Sequence, residues 1–144
     1  MYNIFIDTDV VLDTFIERDP FHETALHLFT FVERGLVGGY TSSVVIANTY
    51  YMLAKMKDRQ FALGKIRFLR DIVGIIPADG TILQKAASNP GKDFEDSIQY
   101  YCALHSKAAF LVTRNVKDFT GTPRLRIMEP AQCIAAVHEA MRSL

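Results

Sequence analysis

Four aspartates in two short stretches carry the first chemistry this sequence offers. Asp7 ends the apolar run Tyr2-Asn3-Ile4-Phe5-Ile6 and is followed by Thr8 and Asp9, while Asp93 and Asp96 lie in Asp93-Phe94-Glu95-Asp96. Residues three apart share one face of a helix, and the N-terminal end of a helix favours negative charge. An acid closing a strand and another opening a nearby helix is an arrangement by which oxygen ligands hold a hard cation. Two to four such carboxylates suffice for a hydrolytic Mg2+ or Mn2+ site, where the ion activates water and offsets charge on a phosphoryl group. A structural reading competes, with Asp93 as the helix N-cap and Asp96 as its capping-box partner.

Other chemistries find less support. Cys102 and Cys133 lie in apolar surroundings with no Cys-x-x-Cys or Cys/His spacing, so they read as buried apolar groups. His22, His27, His105 and His138 share no ligand spacing and read as surface or half-buried side chains. Ser42 and Ser43 read as helix caps. The pairs Tyr50-Tyr51 and Tyr100-Tyr101 could stack bases, but paired aromatics on adjacent helices read first as core or dimer packing.

The elements that must position these groups follow from apolar periodicity. Short apolar runs predict strands at 2–6, 38–43, 75–77 and 109–113, with a last edge strand at 126–128. Helices are predicted over 44–56, 58–73, 79–87, 93–105 and 130–141. A further helix should start with Asp19 as cap and Pro20 at its first position, and close at Gly35. Strands alternating with helices predict a three-layer α/β/α sandwich with a mainly parallel central sheet. In such sheets ligands bind outside the carboxyl ends of the strands, which here end in Asp7-Thr8-Asp9, Ser42-Ser43 and Thr113-Arg114-Asn115.

A chain of 144 residues, 49% apolar and 22% charged, is expected to form one domain over residues 1–144. No apolar stretch approaches the roughly 20 residues that cross a bilayer, and the N-terminus has no leader pattern, so a cytoplasmic protein with no membrane partner is expected. The 16 basic and 16 acidic residues balance, which argues against a broad positive field for nucleic acid. The balance hides a division. Residues 1–34 hold seven acids against two bases, whereas 55–70 hold six bases (Lys55, Lys57, Arg59, Lys65, Arg67, Arg70) against Asp58 alone. Lys107, Arg114, Lys117, Arg124 and Arg126 form a second basic stretch.

Four segments in order resemble the motifs of the PIN domain family: Ile4–Leu12, Thr41–Leu53, Asp93–Gln99 followed by Ala103-Leu104, and Phe110–Phe119. The resemblance covers nearly the whole chain. It implies a metal-dependent ribonuclease fold, most often met as the VapC-type toxin of a toxin–antitoxin pair. By position, Asp7 and Asp96 would ligate Mg2+ (or Mn2+), Thr113 and Asn115 would stand behind the ion or at its attacking water, and Asp118 would hold its loop. The chain departs from the family's pattern at Asn48, where a Glu is usual, and at Asn115, where an Asp is common. The carboxylates fall from about four to two, with Asp93 and Asp9 as substitutes, and one weakly held ion with slow catalysis is the consequence. Arg114 and Lys117 are the first candidates to contact RNA phosphates, and Lys55, Lys57 and Arg59 are further candidates. The resemblance also implies a homodimer and an antitoxin helix lying near 44–72.

Two alternatives stand beside this reading. A PIN-like domain with amides at 48 and 115 could bind RNA or a protein without cutting. Asp7-Thr8-Asp9-Val10-Val11-Leu12 also fits the first motif of haloacid dehalogenase-like phosphatases, with Asp7 as nucleophile and Asp9 as acid/base, which leaves the Ser42–Leu53 and Asp93–Gln99 segments unexplained.

Overall fold

Strand β1 (Asn3–Ile6) is buried on both faces and lies at the centre of a five-stranded sheet. With β2 (Gly38–Ser42), β3 (Gly74–Ile76), β4 (Phe110–Val112) and β5 (Arg126–Met128) it forms the order β3-β2-β1-β4-β5, and every pairing is parallel. The structure is a computed structural model and describes residues 2–119 and 124–143. Parallel neighbours need crossover connections. Helices α1 (Thr8–Phe15) and α2 (His22–Glu33) join β1 to β2, α3 (Ser43–Met56) and α4 (Arg59–Ile72) join β2 to β3, and α5 (Gly80–Ser88) and α6 (Phe94–His105) join β3 to β4. A short 3-10 turn (Val116–Phe119) follows β4, and α7 (Pro130–Arg142) ends the described chain.

The alternation of side chains along each strand sorts the helices into two layers. Ile4, Ile6, Phe110 and Val112 pack with residues of α1, α2, α3, α4 and α7, whereas Phe5 and Leu111 face α5 and α6. The expected three-layer α/β/α sandwich is thus realised with a wholly parallel sheet. Among the described residues no helix is long and apolar enough to cross a membrane.

Helix α2 departs from expectation at its start. Asp19 and Pro20 lie outside it, their peptide bond is cis, and the cap is Phe21, which makes no side-chain capping bond. The N–H groups of Phe21 and His22 both donate to the Arg18 carbonyl, at 2.7 and 3.0 Å, so a turn uses the residues a helix start would have taken. Its end is as expected: Gly35 has φ of +73°, and the Leu36 N–H donates to the Phe31 carbonyl at 2.9 Å, closing the helix as a left-handed glycine cap does. In β2, a methyl on Gly39 would lie 2.7 Å from Val32 Cγ1, so the glycine lets α2 approach the sheet.

Candidate active site

The carboxyl ends of β1, β2 and β4 lie side by side, and each delivers a polar residue to one edge of the sheet. Asp7 follows β1 and caps α1, accepting a hydrogen bond from the Thr8 N–H at 2.9 Å through Oδ1. Its N–H donates to the Val112 carbonyl at 3.0 Å, so the ladder that pairs β1 with β4 extends through it. Thr113, fully buried after β4, holds its hydroxyl 3.0 Å from Asp7 Oδ2 and 3.3 Å from Asp9 Oδ2. One hydroxyl proton thus lies between two carboxylates, nearer to Asp7.

Asp9 is fixed by the loop after β4. Besides Thr113, its Oδ2 receives the Arg114 backbone N–H at 3.1 Å and the Asn115 side-chain amide at 2.9 Å. Asn115 therefore donates to an acid, and an Asp in its place would repel Asp9. Oδ1 of Asp9 is buried without a hydrogen-bond partner among the described residues. The Arg114 guanidinium turns away from Asp9 to Asp13 of α1, with Nε 2.6 Å from Oδ2 and Nη2 3.4 Å from Oδ1, and stacks 4.0 Å from the centre of the Phe21 ring. The Asp13 side chain is only 1% exposed, so this is a largely buried ion pair.

Helix α6 brings the second group of acids. Asp93 is its N-cap and accepts the Asp96 N–H at 3.0 Å, as the capping reading expects. Asp96, half-buried, sits one turn before Gln99, which is buried and accepts the Ser42 hydroxyl at 2.5 Å. Ser42 in turn caps α3 by accepting the Val45 N–H at 3.0 Å, so a single hydroxyl ties β2, α3 and α6 together. Farther along α3, Asn48 donates to Glu95 Oε1 at 2.5 Å.

The electrostatics record the crowding of these acids. Burial, with the charge of Asp9 next, pushes the Asp7 carboxyl from 3.8 up to about 7, and the charge of Asp96 adds to the rise. Burial also lifts Asp96 to about 6, helped by Asp93, Asp118, Glu95 and Asp9 in that order. Asp9 and Asp13 are raised as well, both chiefly by burial, although Arg114 opposes the rise in each. Asp7 thus feels the charge of Asp96 across the edge of the sheet, and a cation between them would relieve the repulsion. Among the described residues, no group of three or more His, Cys, Asp or Glu side chains is gathered closely enough to form a metal cage. An ion here would rest on two carboxylates and water, a set that suits Mg2+, which keeps several of its own waters. The orphaned Asp9 Oδ1 and the raised carboxyls fit such an ion.

Of the residues expected from sequence, the structure joins Asp7, Thr113 and Asn115 through direct hydrogen bonds that run by way of Asp9. Asp96 and Asp93 belong to the same field of charge, and Asn48 reaches it only through Glu95. Lys117 is exposed in the 3-10 turn, and Arg114 gives two of its donors to Asp13. Lys55, Lys57 and Arg59 are exposed around the junction of α3 and α4. Asp13, Glu95 and Gln99 had no assigned role in the sequence, since each acquires one through a partner far along the chain. Cys102 and Cys133 are buried as expected, and burial pushes their thiols up to about 11 and about 12, the Asp79 charge adding to the rise at Cys102.

Comparison with known proteins places the fold. No curated protein sequence matches the chain. Among solved structures, a toxin–antitoxin complex from Klebsiella pneumoniae is similar with a TM-score of 0.66 at 22% identity, over 88% of this chain and 97% of that one. DNA-bound VapBC from Salmonella typhimurium gives 0.65 at 17% identity, over 90% and 99% of the two chains. VapC20 of Mycobacterium tuberculosis, a sarcin–ricin loop cleaving toxin, gives 0.63 at 17% identity, over 75% and 86%. At these identities the likeness is one of fold. The model of the PIN domain family matches residues 3–117, a span that contains the Asp7, Asn48, Asp96, Thr113 and Asn115 positions, and the chain belongs to that family.

Proposed function

We propose that this PIN domain, spanning residues 1–144, is a metal-dependent endoribonuclease and the toxin of a toxin–antitoxin pair. The observation that carries the reading is the gathering of acids at the carboxyl edge of a parallel sheet, where the charges of Asp9 and Asp96 both raise the proton affinity of the buried Asp7. A bound Mg2+ or Mn2+ would lower the pKa of water and offset charge on the phosphoryl group. Asp7 and Asp96 would hold the ion. Thr113 fixes the rotamer of Asp7 from behind, and the Arg114 and Asn115 N–H groups hold Asp9 so that its Oδ1 stays turned from them. Asp93 orders the first turn of α6 and so sets Asp96. The exposed Lys117 and the remaining Arg114 donors would meet substrate phosphates, which predicts RNA affinity that weakens as salt rises.

The family match displaces the phosphatase alternative. An antitoxin partner is supported by the likeness to solved toxin–antitoxin complexes, and its helix would lie on α3, where Tyr51, Met52 and Met56 are exposed. A homodimer in the cytoplasm is the expected setting.

The test is cleavage of a structured RNA with Mg2+ or Mn2+, by the unaltered chain and by Asp7→Asn and Asp96→Asn. Loss of cleavage in both variants and in EDTA supports the proposal. Cleavage that survives Asp7→Asn overturns it, and RNA retention with no cleavage under any ion replaces it with the non-catalytic reading. Metal affinity should also rise from pH 5 to pH 8, because the ion needs both carboxyls ionised and they titrate near about 6 and about 7.

A further inference from the structure

We propose that the cavity beside Arg114 is a base-binding subsite, which takes one unpaired nucleobase of the RNA substrate against the Phe21 ring and the Arg114 guanidinium. The inference rests on the RNA-cleaving function proposed above and deepens it by naming the part of the substrate, besides the phosphate, that the chain would recognise.

The cavity holds about 200 Å3 between the start of α2 and the start of α7, and Pro20, Phe21, Arg114, Glu129, Pro130 and Ala131 line it. Pockets for drug-sized ligands run to roughly 300–1,000 Å3, so this one suits a single flat ring system. Phe21 is 39% exposed, a large aromatic ring left open to solvent, and the Arg114 guanidinium lies 4.0 Å from its centre. Aromatic rings and guanidinium planes are the surfaces on which proteins stack unpaired RNA bases, and the positive charge suits the phosphates on either side of such a base. The guanidinium is also fixed before any ligand arrives. Asp13, with its side chain 1% exposed, receives Nε and Nη2, while Nη1 takes no part in that pair. For stability alone, apolar side chains of similar volume would serve as well as a buried ion pair. A guanidinium locked in place lowers the ordering cost of binding, which is what a subsite gains from the pair.

Position ties the cavity to the acids at the edge of the sheet. The Arg114 backbone N–H donates to Asp9 Oδ2 while the side chain of the same residue reaches Asp13. Asp9 and Asp13 stand four residues apart on α1, about 6 Å along its axis. A strand whose phosphate lies beside Asp7 and Asp9 therefore has the cavity close to a neighbouring base.

The chain has no tryptophan, so Phe21→Trp places a single fluorescent reporter in the cavity wall. Short single-stranded RNA is titrated in Ca2+, with gels verifying that it stays whole, beside an oligomer of equal length and charge that carries no bases. The base-bearing RNA should quench the reporter and the abasic oligomer should leave it unchanged. Phe21→Leu keeps an apolar side chain and removes the ring. In anisotropy titrations it should weaken RNA binding by about 5- to 100-fold, the loss of one stacked base, and hold abasic binding within about twofold. Melting in EDTA verifies folding, and if Phe21→Leu melts early the reporter decides. If the reporter answers neither oligomer and both bind the unaltered chain equally, the inference fails and the RNA reading stands. Quenching by both oligomers alike puts phosphate, not a base, in the cavity and also overturns the inference. A reporter silent with RNA but quenched by a co-purified partner protein assigns the cavity to that partner instead. If no RNA binds the unaltered chain, the RNA reading itself is overturned.

Discussion

Replacing Asp7 by Asn should stabilise the metal-free protein at alkaline pH, although Asp7 is the centre of the proposed site. The residue is 9% exposed, and its carboxyl is raised from 3.8 to about 7. Each tenfold change in proton affinity is about 1.4 kcal/mol, so ionising this group costs the folded chain about 4 kcal/mol more than the unfolded one. The sign follows from the direction of the rise. Below about pH 4 both states hold the proton and the stabilising contribution is complete; it is lost as pH climbs through about 7. Asn never ionises, can accept the Thr8 N–H through its oxygen and can offer its amide to Thr113 Oγ1. With allowance for imperfect replacement of those bonds, the gain at pH 8.5 is roughly 2–3 kcal/mol, or about 5–10 °C in Tm for a chain of this size. Circular dichroism melts in EDTA at pH 4.5 and 8.5 read it directly. The gap between variant and unaltered chain should open with pH, and saturating Mn2+ should close it by stabilising only the unaltered chain. A variant that melts lower at pH 8.5, or a gap that ignores pH, refutes the argument.

Arg114→Met removes the cation facing the buried Asp13 carboxylate and should lower stability by about 3–5 kcal/mol at pH 8. Part should return at pH 5, since burial already raises the proton affinity of Asp13; an equal Tm loss at both pH values would contradict the buried-pair account. Ser42→Ala removes the α3 cap and the donor to buried Gln99, and urea unfolding should show a loss of about 2–3 kcal/mol. A loss under 1 kcal/mol would mean that the hydroxyl does not tie the layers together.

The strands and their layers were legible because β1 and β4 are short apolar runs with both faces buried, which is how strands in a parallel sheet read. Asp7 and Asp96 were legible for the same local reason: each stands where an apolar strand ends or a helix begins. The start of α2 was misread because Asp-Pro serves a turn as well as a helix start, and the choice is made by the Arg18 carbonyl, which no local pattern marks. The roles of Asp13, Glu95 and Gln99 were hidden for another reason. Arg114 lies 101 positions from Asp13, Asn48 lies 47 from Glu95 and Ser42 lies 57 from Gln99, so each pairing exists only once the sheet has brought the helices together. Asn115 shows the limit of reading a departure by charge alone. Counted as a lost acid it weakens the site, yet in place it is a donor that lets Asp9 remain beside Asp7.

The central place of β1 also sets an order of events during synthesis. β1 is made ahead of both its neighbours, pairing on one side with β2 and on the other with β4, whose residues are made about a hundred codons later. Until then Asp7 has neither the Val112 carbonyl for its N–H nor the Thr113 hydroxyl for its carboxylate. The growing chain therefore carries an incomplete site until β4 and Thr113 have been made. Under the function proposed above, RNA cleavage would therefore wait until β4 has been made.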